Sequence, residues 1–368
     1  MAAKWIRNSL QVAAVDGSVA VIHEDTGGSS QEAVAGARRL VDKGAQCLAG
    51  AWAPSDSIAI AREVTVPKHV LQISPASTSV QLTQVDDDGY LNRVSPGDNL
   101  QGRVLAGVIA DKLGGASGKT VNLGARDDVY GRRLSGDFAS EWTRRGGKIG
   151  DKLLYEPNQP SYNSEADRIA TGNPDAFVIV DLPEGFSKLG PALERTGNWR
   201  ADRTFVTDGL VSADLLHDPG SDVVNGMRGI TPGTRESGAS AQSFDGLFDR
   251  SQPRSVGRQT FDAQNFDAVV LCYLSAVAAG SADGEKMKNE LRAVSGPPGE
   301  KFSWEQLPRA IKALRQGRDI DYEGASGPID LDANGDPTTG TYDVVEFKGG
   351  ELNSVEQVEA ADVLRHRR

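Results

Sequence analysis

From Val19 onward the chain alternates short apolar runs with amphipathic stretches of helical period, and it does so twice in succession. Val19–Ile22 is a continuous apolar run of strand length. It leads into Ser29-x-x-Glu32, a capping box in which side chains satisfy orphan helix N–H groups. The helix that follows carries Val34, Ala37, Leu40 and Val41 along one face and stops at Gly44. Cys47–Ala49 reads as the next strand, Pro54-Ser55 opens a helix that Val64 and Pro67 close, and Val70–Ser74 is a third strand. This β-α-β-α-β order implies a parallel sheet, because parallel neighbours need a crossover and a helix supplies it.

The rhythm restarts after Ser95-Pro96-Gly97. Helices are predicted at Leu100–Leu113, Tyr130–Arg145, Ser164–Ala170 and Gly185–Arg195, interleaved with strands Thr120–Leu123, Ile149–Tyr155, Ala176–Val180 and Thr204–Thr207. After Pro232-Gly233 the pattern turns helical, at Phe244–Phe248, Asn265–Ala279, Lys286–Val294 and Trp304–Arg315. Gly327–Leu331 and Tyr342–Phe347 then read as strands around a turn at Asn334-Gly335. With 368 residues there is chain enough for two doubly wound α/β units.

Bulk properties narrow the function. The longest apolar run falls far short of the roughly 18 residues a membrane-spanning helix needs, so direct membrane insertion is not expected. The net charge is −11 and no Lys/Arg stripe interrupts it, which disfavours nucleic acid and anionic lipid alike. Any membrane contact should run through a protein. Cys47 and Cys272 both lie in apolar stretches; two buried thiols are the simpler reading, and a disulfide stays open until a fold is known. The opening Met1-Ala2-Ala3-Lys4-Trp5 has neither the cationic start nor the apolar core of a secretion signal.

Candidate chemistry is sparse. Gly118-Lys119-Thr120 mimics the end of a phosphate loop, but the glycine required five residues earlier is Leu113 and the strand follows rather than precedes it. Asp330-x-Asp332-x-Asn334-Gly335 begins like a calcium loop, yet its twelfth position is Thr341 where a bidentate glutamate is needed, so a polar hairpin turn is expected. His23, His69, His217 and His366 are scattered, and neither G-x-S-x-G nor G-x-G-x-x-G occurs. Asp127-Asp128 and Asp86-Asp87-Asp88 read as solvated turns. No catalytic residues, metal or cofactor are expected, and an enzyme on this scaffold is the weakest reading.

In open parallel sheets ligands sit beyond the carboxyl ends of the strands. Those ends are Gly50–Ser55 and Ser74–Ser79 in the first unit, and Ala125–Tyr130, Asp181-Leu182-Pro183 and Thr207-Asp208-Gly209 in the second. Small hydroxyl residues such as Ser77 and Thr78 beside free backbone N–H groups suit a carboxylate, with helix capping as the plainer role. Asp208 is either an acid aimed at ligand or a turn residue.

Taken together, Ala35–Gly50 (AGARRLVDKGAQCLAG), Ile73–Thr78 (ISPAST), Asp128–Gly131 (DVYG), Phe205–Gly209 (FVTDG), Asn265–Gly280 (NFDAVVLCYLSAVAAG) and Gly324–Asp336 (GASGPIDLDANGD) resemble the leucine/isoleucine/valine-binding family of extracytoplasmic solute-binding proteins. The pieces span most of the chain in the family's order. The resemblance implies the type I periplasmic-binding-protein fold, two doubly wound Rossmann-like lobes joined by three crossing segments that close like a flytrap. Residues 1–97 plus 232–327 would form one lobe and 98–231 plus 328–368 the other, rotating about Ser95–Asp98, Thr231–Gly233 and Gly327–Ile329. It also implies an amino acid or related small carboxylate held in the inter-lobe cleft and passed to the permease subunits of an ABC importer. A ligand sensor with the same clamp is the alternative.

Carried over by position, Ala76 and Thr78 take the ligand's ammonium and carboxylate from the first lobe, and Ser55 lies at or beside the other first-lobe contact. Tyr130 covers the ligand, and Asp208 pairs with the α-ammonium. Asp181 stands where many relatives place an aromatic, which implies a more polar side-chain pocket than a branched aliphatic ligand needs. Ala2–Val12 resembles the end of the family's first helix, so the family's first strand, and with it a signal peptide, is expected upstream of this chain.

Overall fold

The computed structural model describes residues 19–27, 29–233, 239–251, 253, 257–360 and 362. The helix end expected at Ala2–Val12 lies outside them. The chain divides into two compact units, Met1–Gly97 with Thr234–Gly340 and Asp98–Gly233 with Thr341–Arg368.

The first unit opens with the helix Ser30–Asp42, and Ser29 caps it by accepting from the Glu32 N–H. Strands β1 (Cys47–Ala49), β2 (Leu71–Ser74) and β3 (Leu91–Arg93) follow, all parallel in that order. The helix Pro54–Ile60 makes the crossover between β1 and β2. Val19–Ile22, expected as a strand, is not one: Val21 and Ile22 are exposed, and among the described residues β1 pairs only with β2. A strand without a neighbour leaves its backbone groups to water and gains nothing over coil. The segment is held instead by Glu24, which reaches Arg39 and Lys43 on the first helix. β3 was not foreseen, being three residues long with no alternation.

The second unit is built on β4 (Thr120–Arg126), β5 (Lys148–Tyr155), β6 (Ala176–Val180), β7 (Thr204–Val206) and β8 (Arg228–Pro232), all parallel. Alternation along β6 sends side chains to opposite faces. Val178 and Val180 pack with Leu134, Phe138 and Trp142, while Phe177 and Ile179 pack with Phe186, Leu189 and Leu193. Helices therefore cover both faces, as the periodicity predicts for a doubly wound sheet. β8 had been read only as a connection.

The chain then returns to the first unit with the helices Ala239–Ser251, Asp262–Ala279, Gly284–Val294 and Leu307–Arg315. Among them lie β9 (Glu300–Ser303), β10 (Ile320–Gly324) and β11 (Gly327–Pro328), a small sheet ordered β11-β10-β9 of which the sequence reading missed β9 and β10. Asp267, fully buried, accepts from the Tyr322 hydroxyl, the Ala325 and Ser326 N–H groups and the Ser326 hydroxyl, pinning the β10–β11 turn.

That turn moves the last boundary. The return to the second unit had been placed at 327, but β11 pairs antiparallel with β10 and the Asp330 N–H bonds the Ser295 carbonyl, so the stretch through Gly340 stays with the first unit. The strand expected over Gly327–Leu331 shortens to Gly327–Pro328 for the same reason. Only then do β12 (Thr341–Lys348) and β13 (Glu351–Glu359) form a hairpin, completing the second sheet in the order β13-β12-β8-β7-β6-β4-β5.

Cys47 on β1 and Cys272 on the helix Asp262–Ala279 form a disulfide within the first unit, closing a loop with a sequence separation of 225. The two-thiol reading is thereby corrected; the sequence cannot place the helix on the strand, and the fold does. A bridge across so long a loop removes much unfolded-chain entropy, and losing a native one typically costs about 2–5 kcal/mol. Reduction, or Cys272→Ser, should therefore lower the unfolding midpoint of the first unit while leaving the second unit's transition in place. Calorimetry with and without dithiothreitol checks this.

Candidate functional site

In the first unit the loop Ser74–Val80 leaves the carboxyl end of β2 and is buried throughout. Serine hydroxyls knot it to the segment after β1. Ser74 Oγ donates to the Ala51 carbonyl at 2.7 Å and accepts from the Ser77 N–H at 3.0 Å. Ser77 Oγ lies 2.8 Å from Ser57 Oγ, which also accepts from the Ala51 N–H. The Ser77 hydroxyl is thus engaged by the protein itself, and its role here is to fix the loop. Ser55 is exposed, with its hydroxyl 3.3 Å from Asp56 Oδ1.

The carbonyls of Ser77, Thr78 and Ser79 all accept from Arg93 Nη1, at 3.3, 2.8 and 2.8 Å. Three successive carbonyls turned one way leave the intervening N–H groups turned the other. The N–H groups of Thr78, Ser79 and Val80 have no acceptor among the described residues. Ala76 and Thr78 are both buried in this loop. Such a run of free backbone donors is a concave seat for an anion.

In the second unit Tyr130, Asp181 and Asp208 gather at the carboxyl ends of β4, β6 and β7. Asp128 caps the helix Val129–Arg144 by accepting from the Gly131 N–H, and that cap sets Tyr130 in the first turn. The Tyr130 hydroxyl donates to Asp208 Oδ1 at 2.8 Å, lies 2.7 Å from Thr207 Oγ1 and accepts from the Gly209 N–H at 3.2 Å. Gln101 Nε2 donates to the same Asp208 oxygen at 2.8 Å. Gly209 has to be glycine, because a Cβ there would stand 2.6 Å from the Asp181 carbonyl oxygen and 3.0 Å from the Tyr130 hydroxyl.

Asp208 is 8 % exposed and pairs with no cation among the described residues. Burial pushes its carboxyl above the usual range, against the pull of Tyr130, Gln101 and the Gly209 N–H. The same burial, with the Asp208 charge beside it, drives the Tyr130 hydroxyl well above its ordinary value, so it remains a donor. A buried acid held in neutral hydrogen bonds is a ready acceptor for an incoming cation.

Asp181 differs. Its oxygens are occupied by the Tyr155 hydroxyl at 2.9 Å and the Leu182 N–H at 2.8 Å, with Arg126 Nη1 at 3.7 Å. It is 1 % exposed and braces the start of the helix Pro183–Arg195. Arg126 is shared with Asp128 and Glu184. Sequence reasoning missed Gln101, Ser57 and Arg93, and noted Ser74 only as the start of its segment. Gln101 is fully buried beside Asp98 in the first turn of the helix Asp98–Leu113, whose other buried residues are apolar or glycine. Trp52, half-exposed at the end of β1 and edge-on to Phe261 at 6.2 Å, had been noted only as part of its segment.

At its strand ends the first unit thus carries free backbone donors, and the second a buried acid without a cation among the described residues. The family model described as periplasmic binding protein matches residues 1–351, and the chain belongs to that family, whose members are extracytoplasmic. Its fold is type I: it is similar to a leucine-binding protein LivK from Thermotoga maritima, with 22 % identity over 98 % of this chain and 94 % of the other at a TM-score of 0.77. LivJ from Streptococcus pneumoniae, solved in complex with isoleucine, is 19 % identical over 97 % of this chain and 93 % of that one, at a TM-score of 0.76. A solute-binding protein from R. palustris in complex with benzoate is 16 % identical over 97 % and 90 %, at 0.73. The chemotactic signal transduction system substrate-binding protein BasB of Halobacterium salinarum is 24 % identical over 273 residues. That match takes in 73 % of this chain but spans only 62 % of BasB, less than two thirds of its length. Among the described residues no single helix is long and apolar enough to cross a membrane.

Burial pushes the Asp181 carboxyl up to about 6, with the Leu182 N–H, Tyr155 and Arg126 opposing it. A carboxyl raised above its unfolded value near 3.9 gives stability at low pH that is lost as pH rises through the folded value. Acidifying from pH 7.5 to 5 should therefore stabilise the second unit through this group, by on the order of 1–2 kcal/mol. Denaturant titrations of the parent and Asp181→Asn at both pH values check it, the pH-dependent difference shrinking in the variant.

Proposed function

We propose that this chain is a non-enzymatic solute-binding protein that captures a small α-amino acid, or a related small carboxylate, and hands it to the permease of an ABC importer. The carrying observation is Asp208, buried in neutral hydrogen bonds with no cation of its own among the described residues. An α-ammonium supplies the missing charge. The free N–H groups at Thr78, Ser79 and Val80 offer the complementary seat for the carboxylate, with the Thr78 hydroxyl beside them. One acid and one anion seat match the two ends of a zwitterion. A second reading, the same capture reporting occupancy to a signalling receptor, is supported by the chemotactic role in the name of BasB.

A thermal-shift panel of the common amino acids and benzoate tests the ligand class, since a ligand at a hundred times its Kd stabilises by about 2.7 kcal/mol. Unpairing one side of a buried charge pair costs about 2–5 kcal/mol, so Asp208→Asn should weaken the best amino acid about 30-fold or more. The same change should leave a carboxylate without an amine, such as benzoate, nearly unaffected. Thr78→Ala should cost about 1–2 kcal/mol, because the backbone donors remain. Calorimetric titration measures all three. If benzoate proves the best ligand and no amino acid binds, the ammonium half of the reading fails.

A further inference from the structure

The calcium-like turn at Asp332–Asp336 plays no part in the proposal above, yet one arginine connects it to the anion seat. Asp332 Oδ1 accepts from the Asn334 and Asp336 N–H groups, at 2.8 and 3.1 Å, and the Asp332 N–H bonds the Asp336 carbonyl. The turn therefore spends Asp332 on closing itself. Asp336 points elsewhere: its Oδ1 lies 2.7 Å from Arg93 Nε, and its Oδ2 accepts from the Thr83 hydroxyl. Thr83 Oγ1 in turn accepts from Arg93 Nη2 at 3.2 Å. The backbone locks the register as well, since the Arg93 N–H bonds the Gly335 carbonyl at 3.0 Å. Gly335 is needed for that approach, having φ +73° and space for a Cβ only 2.2 Å from Asn92 Oδ1.

We propose that Arg93 is a positioning residue that aims the free N–H groups of Thr78, Ser79 and Val80, with Asp336 and Thr83 fixing its guanidinium. This rests on the carboxylate half of the reading above and is independent of the ammonium half. Nη1 gathers the three carbonyls and Nη2 takes Thr83, while the Asp336 carboxylate stands in ion-pair contact beside Nε. Arg93 is 2 % exposed, and those partners offset the cost of burying its charge. A planar fork held on one edge by an acid and on the other by three carbonyls permits one rotation of the loop. The loop's free donors are therefore fixed in orientation before any ligand arrives, and binding does not pay to order them.

Acetate, the smallest carboxylate, probes the seat without presupposing the physiological ligand. In the parent protein, amide resonances of Thr78, Ser79 and Val80 should move on titration with acetate and stay still with acetamide. Arg93→Lys keeps the charge but loses the fork, and should weaken acetate about tenfold. Asp336→Asn and the isosteric Thr83→Val should each weaken it about threefold to fivefold, the scale of one hydrogen bond. A purely structural Arg93 would lower the unfolding midpoint without changing acetate affinity in the variants that still fold, and that result overturns the inference while leaving the seat intact. Should Arg93→Lys not fold, Asp336→Asn and Thr83→Val decide the matter. If acetate moves none of the three amides in the parent, the carboxylate half of the functional reading falls and this inference falls with it.

Discussion

A parallel sheet has a direction, and that single constraint organises both units. When β1, β2 and β3 run the same way, all their carboxyl ends open on one edge, and the loops there must end their backbone hydrogen bonding somewhere other than the ladder. In the first unit they end it in serine hydroxyls and in Arg93. In the second they end it in Tyr130, Gln101 and Asp208. Neither group of side chains is conspicuous along the chain, since Gln101 and Asp208 are 107 residues apart. The strand ends bring them within a hydrogen bond.

Much of the second unit was legible because its signals were redundant. Apolar runs such as Ala176–Val180 are too short for a helix and buried on both faces, so period, length and flanking residues agree. β3, β8, β9 and β10 were illegible for the opposite reason. Each is five residues or fewer, too short for an alternating or helical pattern to mark it. Val19–Ile22 failed in the other direction. Its apolar run is strand-like, but a strand is a pairing, and pairing is not a property of four residues.

The site was half legible. Position relative to strand ends, together with family resemblance, pointed to Thr78, Tyr130 and Asp208, and the structure places them just beyond the carboxyl ends of β2, β4 and β7. What the sequence hid was the division of labour. Ser77 and Asp181 occupy equally suitable positions, yet the hydroxyl of one and the oxygens of the other are engaged by the protein itself. Arg93 was hidden more deeply, being one charged residue at the end of an unrecognised strand. Its partners at 77–79, 83 and 336 are related only by the fold.

The disulfide has a consequence for the order in which the molecule can be made. Cys47 emerges early, whereas Cys272 lies beyond all of β4 to β8, so the two thiols cannot meet until most of the second unit has been synthesised. Domains generally fold as units as they emerge. Here the unit that begins first is the one that must wait. Its three parallel strands stay without the helix Asp262–Ala279 that covers β1 and β2, while the interior segment between Asp98 and Gly233 has its opportunity to fold. The covalent ring can close only once that whole interior segment has been synthesised, so this one bond marks the passage from an unfinished first unit to a finished one.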